Sequence, residues 1–138
     1  LYFNMAAQER IVVLTPEPTS LTDAYALIKV LKTNHGVERF KVCVNMAHDA
    51  KTAKEMFARL HQACDHFLSG VSLELTGIVP RDTGVRKAVV QQLPFCVSDP
   101  QGPAAKSVLA LAQNITTWEV PENLDGNIKF FWKKLLFR

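Results

Sequence analysis

Short apolar runs alternate with longer stretches whose apolar residues fall three and four apart, and that rhythm organises the chain. Arg10-Ile11-Val12-Val13-Leu14 is β-branched and almost wholly apolar, which predicts a strand covered on both faces in a parallel sheet. The turn after it, Thr15-Pro16-Glu17-Pro18, then stands at a carboxyl end, the edge where open α/β sheets receive ligands and partners. On spacing alone it is equally an ordinary strand-to-helix turn. Pro18 disfavours helix for the residue before it, Thr19 or Ser20 can cap, and Ser20-x-x-Asp23 is an acidic form of the capping box. Leu21, Ala24, Tyr25, Ile28 and Leu31 follow at helical spacing with Gly36 beyond them, predicting a helix of about fourteen residues.

Phe40 to Met46 reads as a second strand, and Asp49 can cap a second helix striped by Ala53, Met56, Phe57, Leu60, Cys64 and Phe67. That stripe is core rather than a cofactor box. Val71 to Val79 reads as a third strand closed by Pro80-Arg81-Asp82, where Asp82 or Thr83 can cap a short helix carrying Val85, Ala88 and Val89. Pro94-Phe95-Cys96-Val97 reads as an extended segment, and Pro103 suits the first turn of a helix with Val108, Leu111, Ala112 and Ile115 on its apolar side. Strands alternating with helices predict βαβ units, hence an α/β fold with a mainly parallel sheet and flanking helices.

Composition narrows the class. The 138 residues suffice for one domain with a real core, and 48% apolar with 21% charged residues reads as globular. No apolar run approaches the roughly 20 residues of a spanning helix, and no basic-then-apolar leader is visible, so secretion and membrane spanning are disfavoured. Cys43, Cys64 and Cys96 are odd in number and without C-x-x-C spacing, which fits reduced thiols in the cytoplasm. The net charge of +3 belongs to the end of the chain: residues 127–138 contribute +4, leaving −1 for residues 1–126. A basic nucleic-acid-binding face is therefore not supported.

Leu1-Tyr2-Phe3-Asn4 resembles the remnant of a cleavable tag, and the strand that follows so soon after Met5 raises the expectation that this is the later part of a longer protein. Residues 5–118 form the domain and 119–126 a polar linker. In 127–138, Ile128, Phe131, Trp132, Leu135 and Leu136 share one helical face, while Lys129, Lys133, Lys134 and Arg138 lie around the remainder. Such a segment suits the plane of an anionic membrane, although Phe130 and Phe137 interrupt its basic side. Docking on its own domain or on a partner is the other reading.

Chemistry-bearing patterns are sparse. The six glycines form no phosphate-cradling cluster, and there is no G-x-S-x-G elbow. His61 and His66 are five apart and diverge around a helix, so with Cys64 they form no metal site. Glu17 and Asp23 have nothing nearby to tune them as an acid/base pair. Asn45 stands out, because its amide lies on the same sheet edge as the first turn and as Pro80-Arg81-Asp82, and an amide can both donate to and accept from a purine edge.

Thr15 to Lys29, with Val44-Asn45-Met46, Gly77-Ile78-Val79-Pro80-Arg81-Asp82, Val85-Arg86-Lys87-Ala88-Val89, Pro103-Ala104-Ala105 and the closing Asn127 to Leu135, resembles the C-terminal half of the MinD/ParA-type deviant P-loop ATPases. Within them it looks most like the bacterial regulators of flagellar number and placement. The resemblance implies a partial P-loop NTPase-like three-layer fold with a C-terminal amphipathic membrane-targeting helix. It further implies a parent that uses ATP and Mg, dimerises around ATP, meets flagellar assembly or regulatory proteins, and works in the cytoplasm at the inner membrane face. Positions matching Asn45, Pro80, Arg81 and Asp82 hold the adenine in such proteins, and those matching Glu17, Thr19 and Asp23 face the dimer or partner. The family's phosphate loop and switch regions have no counterpart in this sequence, so the chain by itself is expected to need no cofactor, to hydrolyse no ATP and to self-associate. A non-catalytic protein–protein interaction module of the same fold is the alternative, and a receiver-type domain is disfavoured because no acidic cluster sits at the strand ends.

Overall fold

The computed structural model describes residue 7 and residues 9–119. The tag-like start, nearly all of the 119–126 linker and the 127–138 segment lie outside the described residues.

Three parallel strands, β1 (Ile11–Leu14), β2 (Arg39–Ala47) and β3 (Ser72–Pro80), pair in the order β1-β2-β3. The crossovers are α1 (Pro18–His35) and α2 (Ala50–Phe67), and β3 leads into α3 (Thr83–Val90), α4 (Phe95–Ser98) and α5 (Pro103–Ile115). The parallel α/β architecture is thus as the periodicity predicts.

Two apolar cores lie on opposite faces of the sheet. Val12, Leu14, Phe40, Val42 and Val44 meet Ala24, Ile28 and Leu31 of α1 and Ala53, Leu60 and Cys64 of α2. On the other face Cys43 and Val79 meet Ala104, with Val85, Phe95, Val108 and Leu111 packed around them. The second core is smaller because α5 lies mainly over β3. Ile11 and Val13, register partners of Lys41 and Cys43, are consequently 40% and 54% exposed. The expectation that β1 is covered on both faces is corrected here: β-branched composition does not separate a two-sided strand from one whose second face still awaits a neighbour.

Local chemistry explains where the helices begin and end. Asp49 caps α2 by accepting from Thr52 N at 2.7 Å, and Asp82 caps α3 by accepting from Gly84 N at 2.8 Å, both as the sequence predicts. Pro103 opens α5, and Gly36 ends α1 in the left-handed conformation, φ 65°, donating to Lys32 O while Val37 N donates to Leu31 O. The start of α1 differs from expectation. Glu17 is the N-cap without a side-chain bond, Pro18 stands in the first turn, and neither Thr19 nor Ser20 caps. The helix runs eighteen residues rather than about fourteen, because Pro18, Thr19 and Ser20, expected ahead of it, form its first turn. Pro94 to Val97, expected to be extended, enters the short helix α4, whose Val97 N and Ser98 N both donate to Pro94 O. Phe67, Val89, Ala112 and Ile115, expected on apolar helix faces, are exposed, although Phe67 meets Tyr25 edge-on at 6.4 Å between ring centroids and so ties α2 to α1.

At the amino end of the sheet, Lys41 pairs with Glu74 across β2 and β3 and lies 4.8 Å from the ring centroid of Trp118, three residues past α5. The chain therefore crosses the whole sheet between Ala104, beside Asp82 at the carboxyl edge, and Trp118 at the amino end.

Candidate functional site

Three loops converge because the strands are parallel: Thr15–Glu17 after β1, Asn45–Ala47 ending β2 and Pro80–Asp82 ending β3. At the first, Ser20 Oγ accepts from Thr15 N at 2.9 Å and Ser20 N donates to Glu17 O, so a serine that reads as a cap instead fastens the turn to the strand. Beyond it a shallow groove of about 390 Å³ runs between β1 and α1, lined among others by Ile11, Val13, Glu17, Thr19, Asp23 and Leu27. All three residues expected at a dimer or partner surface thus face one groove. Beside it runs the edge of β1, unpaired among the described residues, whose backbone groups form a template for another strand.

The second and third loops lie side by side at the ends of β2 and β3. Asn45 Oδ1 accepts from Met46 N at 2.9 Å, and Nδ2 has no protein partner among the described residues, leaving a donor for a ligand. Met46 adopts φ 55°, an uncommon left-handed conformation for a non-glycine residue, where the β2–β3 register shifts between Val44 and Ala47. Sequence reasoning gave Met46 no role, and its only signal was its place between an apolar strand and a polar turn. Arg81 N donates to Ala47 O at 2.9 Å, joining the two loops while the Arg81 side chain stays exposed.

Asp82 is the busiest side chain of this edge. One oxygen caps α3, and the other accepts from Ala104 N at 3.1 Å at the start of α5. A single carboxylate thereby compensates two helix N-termini. Gly102 leaves room for this junction, since a Cβ there would come within 2.6 Å of Asp99 Oδ2 and 3.2 Å of Asp82 Oδ2.

Elsewhere the histidines and thiols are engaged separately. His61 Nδ1 lies 3.0 Å from Asp65 Oδ2, His66 packs edge-on against Phe67, and Cys64 faces the core. Burial, with Asp65 adding to it, pushes the Cys64 thiol up to about 11, and burial also raises Cys43. Neither is a thiolate nucleophile at neutral pH.

This edge offers the Asn45 amide donor and the exposed Arg81 side chain, but no loop of successive N–H groups able to cradle phosphates among the described residues.

No family model matches the sequence. It is 42% identical over 134 residues to the antiactivator FleN of Pseudomonas aeruginosa, an alignment covering 97% of this chain and 48% of that protein. It is 23% identical over 132 residues to the flagellum site-determining protein YlxH of Helicobacter pylori, covering 91% of this chain and 43% of that one. The fold superposes on the septum site-determining protein MinD of Pyrococcus horikoshii, solved with Mg-ADP, with a TM-score of 0.57 at 20% identity over 87% of this chain and 43% of that chain. The chain spans about half the length of each of these relatives.

Proposed function

We propose that this is a FleN-like chain of the MinD/ParA type, and that it supplies the adenine-recognising and partner-facing portion of an ATP-dependent regulator of flagellar number or placement. Asn45 binds the base, with Pro80 and Arg81 alongside it, and Asp82 holds the loop that presents them. The triphosphate and Mg need groups that this sequence does not contain, so the chain alone turns over no ATP. Residues 127–138 hold the assembled protein at an anionic membrane surface through Trp132 and its apolar neighbours.

The observation that carries this reading is that Glu17, Thr19 and Asp23 line one groove beside a strand edge that is unpaired among the described residues. A second polypeptide, in the first instance another copy of the chain, sits against that edge. Sedimentation-velocity mass as a function of concentration tests it. Glu17→Arg combined with Asp23→Arg is expected to weaken self-association at least tenfold, about 1.4 kcal/mol, while ATP turnover by the parent chain stays at the buffer rate. A strictly monomeric parent, or a double variant that associates as well as the parent, overturns the reading.

A further inference from the structure

The corner formed by α3 and α4 is apolar and open. Val89, Val90, Leu93 and Val97 are between 51% and 79% exposed, although α3 and α4 pack against one another and Val85 and Phe95 beneath them are seated on the smaller core. The corner is held by backbone: Leu93 N donates to Ala88 O, Gln92 N to Val89 O, and Gln92 takes φ 55°. These contacts hold the aliphatic groups outward, with no side chain over them among the described residues.

Charge points to the occupant. Asp82 and Asp99, which bracket the corner, lie together beside Gly84 at the start of α3, and between them there is no acidic residue, whereas Arg86 and Lys87 lie one helical turn from Val89 and Val90. Aliphatic tips rimmed by cations complement an anionic interface whose interior is hydrocarbon. A protein partner would need some 20–30 residues a side to bind stably, and four aliphatic side chains are far from that. Nucleic acid offers nothing to bury Val90 against, and the corner exposes no aromatic ring for stacking.

We propose that the α3–α4 corner is a second membrane-contact surface, in which Val89, Val90, Leu93 and Val97 enter an anionic leaflet to shallow depth while Arg86 and Lys87 meet its headgroups. It is distinct from the 127–138 segment, and the two contacts together orient the domain on the lipid as neither alone can.

The full chain is sedimented with vesicles of phosphatidylglycerol and phosphatidylcholine, and with phosphatidylcholine alone. Val89→Glu with Val90→Glu is expected to lower the partition coefficient on anionic vesicles at least tenfold, and Arg86→Gln with Lys87→Gln to remove most of the preference for anionic lipid. Trp132→Glu reports the tail separately. If Trp132→Glu abolishes binding and the valine variant matches the parent, the corner is rejected and the tail reading stands. If only the valine variant loses binding, the tail reading fails and the corner stands. Binding of the parent to neither vesicle rejects both. Cys96, the exposed thiol of the three, allows a positional readout on folded protein. A polarity-sensitive dye attached there is expected to shift to the blue on anionic vesicles, and an unshifted spectrum overturns the proposal. So does a valine variant whose change appears only in oligomeric mass or in oligonucleotide binding.

Discussion

Single carboxylates settle the ends of helices in this chain, and they differ in how far they reach. Asp49 accepts from Thr52 N, and that bond holds its carboxyl below the usual range. A carboxylate lowered on folding contributes stability above its unfolded pKa, and the contribution is lost as the pH falls through the lowered folded value. Asp49→Asn, which keeps an acceptor without the charge, is therefore expected to flatten the acid limb of the helical circular-dichroism signal. An acid limb identical to the parent's would remove Asp49 from the account. This cap was legible in the sequence because donor and acceptor are three residues apart. The first oxygen of Asp82 was legible for the same reason. Its second bond, to Ala104 twenty-two residues on, was not, because nothing local in the sequence joins the two. Ser20 differs from its expected role on similar grounds: its hydroxyl has a donor in Thr15, just past the preceding strand, and that bond prevails over the cap.

At the scale of elements, stripes at helical spacing locate the larger core well. Ala24, Ile28 and Leu31 of α1 and Ala53, Leu60 and Cys64 of α2 all close on the sheet. Leu60 has no exposed surface, so Leu60→Ala is expected to cost about 2–5 kcal/mol in urea unfolding with little change in slope. A loss within experimental error would show that the α2 stripe is not the seat of the core. The stripes of α3 and α5 were read less well, with Val89 and Ile115 facing solvent. Apolar residues at the right spacing specify a face, but a face is buried only where another element is available to cover it. The edge strand makes the same point: Ile11 and Val13 have the composition of buried strand residues and no described residue over them. Among site residues, Glu17, Thr19 and Asp23 could be grouped from one turn and one helical face, whereas the left-handed turn at Met46 depends on how β2 and β3 drift out of register.

For the whole molecule, the parallel order β1-β2-β3 gathers the strand ends at one edge, and α5 carries the chain back to the other. The two sides of the sheet are unequal in mass, and the three cysteines happen to sample that inequality. Cys64 lies in the larger core, Cys43 in the smaller, and Cys96 on the surface. The chain thus carries its own clock for the order in which its layers come apart. In rising urea a maleimide is expected to reach Cys96 at once, Cys43 when the α5 layer lifts, and Cys64 only when the α1 and α2 layer follows. Alkylation of Cys43 and Cys64 at one common midpoint would mean instead that the sheet binds both layers into a single cooperative unit, and the thin side would then be no weaker than the thick one.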